Sequence, residues 1–209
     1  MSGQRNNQGK LRFNVKETAL EVVGIVFAVL LALWLESWRD DMELQQRADD
    51  ARERIRLEIV ANRVELVDSI KQNEGNMKAI TAAIRARDGE DGAGPLIDKI
   101  GPYLAISSSS LSDSAWTSAK VTEVLARMPA DEVSILAGLY DTQGYYRDYA
   151  RFFMRQYTDL TIDIQQDEQA AEKAAHKFVQ HLALLNSIGQ QLVAAYDEYL
   201  PPSAAPAAD

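Results

Sequence analysis

The sequence predicts an all-α protein: a single N-terminal transmembrane helix continuing into a long stalk helix, then an antiparallel helical bundle. Three observations predict this. Residues 22–35 (VVGIVFAVLLALWL) carry no polar side chain. Downstream, apolar residues recur at steps of three and four, the period that lines one face of a helix. No segment alternates with period two for long enough to make a strand.

The first element, 1–16, is a basic segment. Arg5, Lys10, Arg12 and Lys16 give it a charge of +4 with no acid, so a net charge of −9 leaves −13 for everything after it. An acidic domain repels phosphate backbones, which argues against nucleic acid as a partner.

The anchor, 17–38, follows. From Ala19 to Leu35 it holds 17 residues, roughly 25 Å of helix at 1.5 Å per residue. A hydrocarbon core is about 30 Å thick, and Trp34 and Trp38 are placed to sit at the membrane interface, in the headgroup belt. A soluble core helix would show a polar face, and 22–35 shows none. A cleaved signal peptide would end in small residues, whereas this run ends in Leu-Trp-Leu-Glu-Ser-Trp. A retained signal anchor fits both facts. Four basic residues precede it, and only Arg39 and Arg47 lie in the 15 residues after Leu35. That asymmetry predicts a single-pass protein of a bacterial inner membrane, N-terminus in the cytoplasm and main domain in the periplasm. Glu21, Gly24, Ala28 and Ala32 fall on one stripe. Small residues so spaced let backbones approach in lipid, so the stripe is a candidate membrane helix–helix contact, with Glu21 bonding across it. The competing readings are that Gly and Ala are common in membrane helices and that Glu21 snorkels to the surface.

Residues 39–87 read as an amphipathic stalk helix. Ile55, Ile59, Leu66, Ile70, Met77, Ile80 and Ile84 keep one face, and Arg, Glu and Lys hold the other. The helical bundle domain, 88–200, is expected to pack on it. RDGEDGAGP (87–95) is a break, a short helix follows over 96–105, and ISSSSLSDS (106–114) is a loop. Ser112 or Asp113 is placed to cap a helix reaching about Arg127 and carrying Trp116. Pro129 starts the next helix, with Asp131 and Glu132 in its first turn. One helix over 130–200 would exceed about 100 Å, so a turn is expected in 161–168, with Asp167 as N-cap of the last helix. Residues 201–209 (PPSAAPAAD) read as a disordered tail.

The order Glu21, Gly24-Ile25, Ala32-Leu33, Trp38, followed by a charged helix, resembles a family of uncharacterised bacterial single-pass membrane proteins, a domain of unknown function. SDSAWTSAKVTEVLARMPADEVSILAGLYD (112–141) is similar to that group's Ala-Trp…Leu…Tyr segment. The likeness covers about 1–70 and 107–150, with Leu20 standing where the group's pattern has Gly. It implies a short basic N-terminus, an anchor and a helical domain, and it brings no activity with it.

Chemistry-bearing motifs are few. The chain has no cysteine, which excludes disulfides and thiolate metal sites. His176 and His181 lie five residues apart, about 140° around a helix, so they are not a paired metal site. Glu168, Glu172 and His176 share a face, but a metal there would need ligands from another helix. The serines of 107–110 lack a nucleophile elbow, and no phosphate-binding glycine loop is present. No enzyme, cofactor or metal is therefore expected. Seven aromatics crowd into 140–157, most of them explained by core packing. A ligand or partner pocket lined by Trp116, Tyr140, Tyr145, Tyr146, Tyr149 and Phe153 is the candidate site. The expected function is that of a membrane-anchored extracytoplasmic interaction or scaffold protein, working as a homo-oligomer or as an accessory subunit with another membrane protein. The alternative is a small-molecule sensor domain that signals through a partner.

Overall fold

The computed structural model describes residues 15–87, 94–164 and 167–200. Residues 1–14 of the basic segment, 88–93 of the predicted break and the 201–209 tail lie outside the described residues. The described chain is all-α, without strands. Its helices are α1 (Val15–Arg87), α2 (Leu96–Ile100), α3 (Ser114–Val121), α4 (Ala130–Ile164) and α5 (Glu168–Tyr199). Short 3₁₀ turns occupy Gly101–Tyr103 and Val124–Arg127. Two compact units divide the chain, 1–47 and 48–209.

In the first unit every side chain from Leu20 to Trp38 is exposed. The helix is held by its own backbone bonds, and nearer its end Arg47 pairs with Glu43 one turn away at 2.6 Å.

In the second unit the 48–87 part of α1 packs with α4 and α5. The apolar seam read from the sequence is buried at Ile55, Ile59, Leu66, Ile80 and Ile84, with Ile70 and Met77 half-buried against it. Phe153, Phe178, Leu182, Leu185, Leu192 and Tyr196 supply the facing surfaces, each with no solvent exposure. Asp167 caps α5, its carboxylate accepting from the Ala170 N–H at 2.8 Å.

Cross-helix partners fix the directions. Tyr149 meets His181, Phe153 meets Phe178 and Glu132 meets Tyr199, so α4 and α5 run antiparallel. Asn73 meets Asn186 and Arg63 meets Asp197, so α1 and α5 are antiparallel as well. Arg52 meets Glu132, Glu58 meets Tyr140 and Asn62 meets Gln143, so α1 and α4 are parallel. Two parallel neighbours require the connecting chain to travel back along the bundle. Residues 104–113 do this as an extended strap laid on α1. Asn76 to Asn62 is about 21 Å of helix, and Ala105 to Ser112 is about 23 Å of extended chain. The two lengths match, which is why the strap can be pinned at both ends.

The helix after the strap departs from expectation in two ways. Asp113 holds the cap position, but its side chain makes no capping bond. Instead Glu58 of α1 accepts from the Ala115 N–H at 2.9 Å, and Ser112 Oγ accepts from the Ser114 N–H at 3.3 Å. The helix also ends at Val121 rather than near Arg127, because Glu123 takes a left-handed backbone with φ 58°.

Candidate functional site

In the first unit Glu21, Gly24, Ala28 and Ala32 are all exposed, as are Trp34 (64%) and Trp38 (54%). A side chain added at Gly24 would meet nothing within 4 Å. Helix α1 is long and apolar enough to cross a membrane, and none of its apolar window is buried.

In the second unit a polar network fixes the strap. Asn62, Ser69, Asn73, Gln143 and Asn186 are buried although polar. Each is bonded, which is what keeps a buried amide or hydroxyl from costing stability. The Asn73 carboxamide donates to the Ser107 carbonyl and accepts from its N–H. Asn62 does the same for Ser112, at 2.7 and 2.9 Å. Asn76 donates to the Ala105 carbonyl, and Ser109 Oγ lies within hydrogen-bond reach of Ser69 Oγ and the Glu65 carbonyl. Gln143 donates to the Ser112 carbonyl and accepts from the Tyr196 hydroxyl at 2.7 Å. The strap therefore finds on α1 and α4 the backbone partners that a neighbouring strand would otherwise give it.

Glu58 is the charged end of this network. Its carboxylate accepts from Ala115 N–H, Ser112 Oγ, Ser114 Oγ and the Tyr140 hydroxyl. Burial pushes its pKa up, but these four donors outweigh that and hold it below the usual carboxylate range. Burial first, and then the bond to Glu58, raise the Tyr140 phenol well above its ordinary value. Arg147 reaches Asp113 at 2.8 Å, and that hydrogen bond keeps the Asp113 carboxyl low.

The aromatic residues separate by depth. Trp116 and Tyr140 stack in the core, rings 5.3 Å apart and 2° from parallel. Phe153 and Tyr146 are also buried, Tyr149 is half-buried, and Tyr145 is 59% exposed. Tyr149 shares a hydrogen bond with His181 Nδ1, whose ring stacks on Phe153. Burial, and then Lys177, lower the His181 pKa. His176 lies 3.8 Å from Glu172. Among the described residues no group of three His, Asp or Glu stands close enough to hold a metal ion.

Sequence reasoning missed Asn62, Ser69, Asn73 and Glu58. The available signal was their position: the three polar residues fall between the apolar residues of the α1 seam, on its buried side. The features together define an all-α bundle protein bearing an N-terminal apolar helix of membrane-spanning length. No protein-family model, no curated protein and no solved structure matches the chain.

Proposed function

We propose that this protein is a membrane-tethered interaction module. Its apolar helix stays in a bacterial inner membrane and holds an acidic helical domain on the periplasmic side. The observation that carries this is the run from Leu20 to Trp38, exposed at every residue. Leaving so many large apolar side chains in water is unfavourable by roughly 25 cal/mol per Å², and a bilayer removes the cost. The likeness of Glu21, Gly24-Ile25, Ala32-Leu33 and Trp38 to the bacterial single-pass family supports the same reading. The excess of basic residues before the anchor supports a cytoplasmic N-terminus. The stripe Glu21, Gly24, Ala28 and Ala32 is the surface through which the helix meets a second copy or another membrane protein.

Alkaline carbonate washing of membranes tests the tether. The full-length chain is expected to stay in the pellet, and its release into the supernatant would end the proposal. Protease added to spheroplasts is expected to digest the domain from outside; digestion only in inverted vesicles would reverse the topology. Crosslinking in membranes tests the stripe. A Cβ at position 24 meets nothing within 4 Å in its own chain. Loss of the crosslinked species in Gly24→Leu therefore reports contact with another helix, and an unchanged pattern removes the stripe from the account.

A further inference from the structure

One cleft in the second unit differs in charge from its surroundings. It measures about 600 Å³ and lies between the strap and α4. Its lining includes Arg147, Arg151 and Arg155 and no carboxylate. The chain as a whole carries −9, so three cations in one row run against its composition. They stand at i, i+4 and i+8, about 6 Å apart along the helix. Like charges at that spacing weaken a helix, so the row carries a local cost. Arg147 is held in place by Asp113 at 2.8 Å, and Arg151 pairs outward with Asp148 at 3.2 Å. Arg155 has no carboxylate partner among the described residues.

The opposite wall supplies neutral donors. The N–H groups and hydroxyls of Ser108 and Ser110 make no hydrogen bond among the described residues. The Tyr146 hydroxyl, in a side chain only 1% exposed, adjoins Ser109 without forming a hydrogen bond of normal geometry. Ala150, Leu111 and Met154 give the cleft an apolar floor. Guanidinium groups on one side and serine donors on the other are the complement of a tetrahedral oxyanion. The size falls within the range of small-molecule sites.

We propose that this cleft binds a phosphate-bearing anion, with Arg151 and Arg155 as its charge partners and Ser108 and Ser110 as its neutral donors. The phosphate reaches it either from a free solute or as the headgroup of an anionic lipid. This goes beyond the tether and does not rest on it, because the cleft lies wholly within residues 108–155.

The test uses the full-length protein in a neutral detergent, titrated with three probes: inorganic pyrophosphate, dioctanoyl phosphatidate and dioctanoyl phosphatidylcholine. Saturable binding of pyrophosphate assigns a free anion. Binding of phosphatidate without pyrophosphate assigns a lipid headgroup, and phosphatidylcholine is expected to bind in neither case. The variant Arg151→Gln/Arg155→Gln changes two exposed side chains, so its helical content and melting should match the parent. Its affinity for the bound probe should fall by about tenfold or more. The control Arg54→Gln/Lys71→Gln makes the same change of charge away from the cleft and should bind like the parent. No binding of either phosphate probe overturns the proposal, as does an equal loss in the control or no loss in the cleft variant.

Discussion

The side chain of Asn73 pairs with the backbone of Ser107 in both directions, donating to its carbonyl at 2.8 Å and accepting from its N–H at 2.9 Å. Eleven residues earlier on the same helix, Asn62 pairs with Ser112 in the same way. A helix thereby presents the hydrogen-bonding edge that an extended chain ordinarily finds in a sheet.

Removing either amide should cost more than an ordinary surface change. Asn73→Ala strands both polar groups of Ser107 and the Asn186 oxygen, and should destabilise the fold by about 2–3 kcal/mol. Asn62→Ala strands the Ser112 N–H but leaves its carbonyl bonded to Gln143, and should cost about 1–2 kcal/mol. Asn76→Ala, which loses one exposed bond to Ala105, should cost under about 1 kcal/mol. Thermal melts of the full-length chain in neutral detergent would give the ranking, and equal effects at all three positions would contradict it.

Glu58 links stability to pH. Its carboxyl titrates lower in the folded protein than its ordinary value of 4.5. A depressed folded pKa means that its contribution is complete above the unfolded value and disappears as pH falls through the folded one. The parent should therefore lose stability from about pH 5 downward. Glu58→Gln should be less stable at pH 7 by about 1–2 kcal/mol and show a shallower acid limb. Parallel acid limbs in the two proteins would acquit Glu58.

Two glycines in long helices should respond in opposite senses. A Cβ at Gly189 would stand 3.1 Å from Ile70 Cδ1 and 3.4 Å from Leu66 Cδ1. Gly189→Leu overpacks the α1–α5 contact and should destabilise by about 2–3 kcal/mol. Gly138 faces open space on α4, and Gly138→Ala should stabilise by about 1 kcal/mol through helix propensity. A stable Gly189→Leu protein would mean that the two helices are not in close contact there.

Glu123 is a non-glycine residue in the left-handed region, φ 58°, at the exposed junction of α3 and the following 3₁₀ turn. Glu123→Gly relieves that strain and should raise stability by about 0.5–1 kcal/mol. A lower melting temperature would show that the side chain contributes more than its backbone costs.

What the sequence disclosed follows from how locally each feature is encoded. Ile55, Ile59, Leu66, Ile80 and Ile84 could be read as a buried seam because apolar residues at helical spacing have few other uses. Asp167 could be read as a cap because its partner lies three residues on. The strap could not be read. Its serines suit a solvated loop, and their partners sit 34 to 54 residues away on α1. Asn62 and Asn73 look like surface residues until the strap is laid over them. Nor does periodicity encode direction, so the parallel pairing of α1 and α4 was not legible. The aromatic cluster was visible as a cluster, but only packing separates buried Tyr146 from exposed Tyr145. The arginine row gained meaning only when the strap supplied its opposite wall.

The parallel pairing of α1 and α4 bears on how the chain is made. Glu58 must wait for Tyr140, 82 residues later, before its phenolic partner on α4 leaves the ribosome. At about 5–20 residues per second that is a delay of roughly 4–16 s. During it neither α4 nor α5 is there to cover the isoleucines in the bundle half of α1. Asn62, Ser69 and Asn73, set among them, keep that waiting surface from being uniformly sticky, and the strap arrives before either long helix.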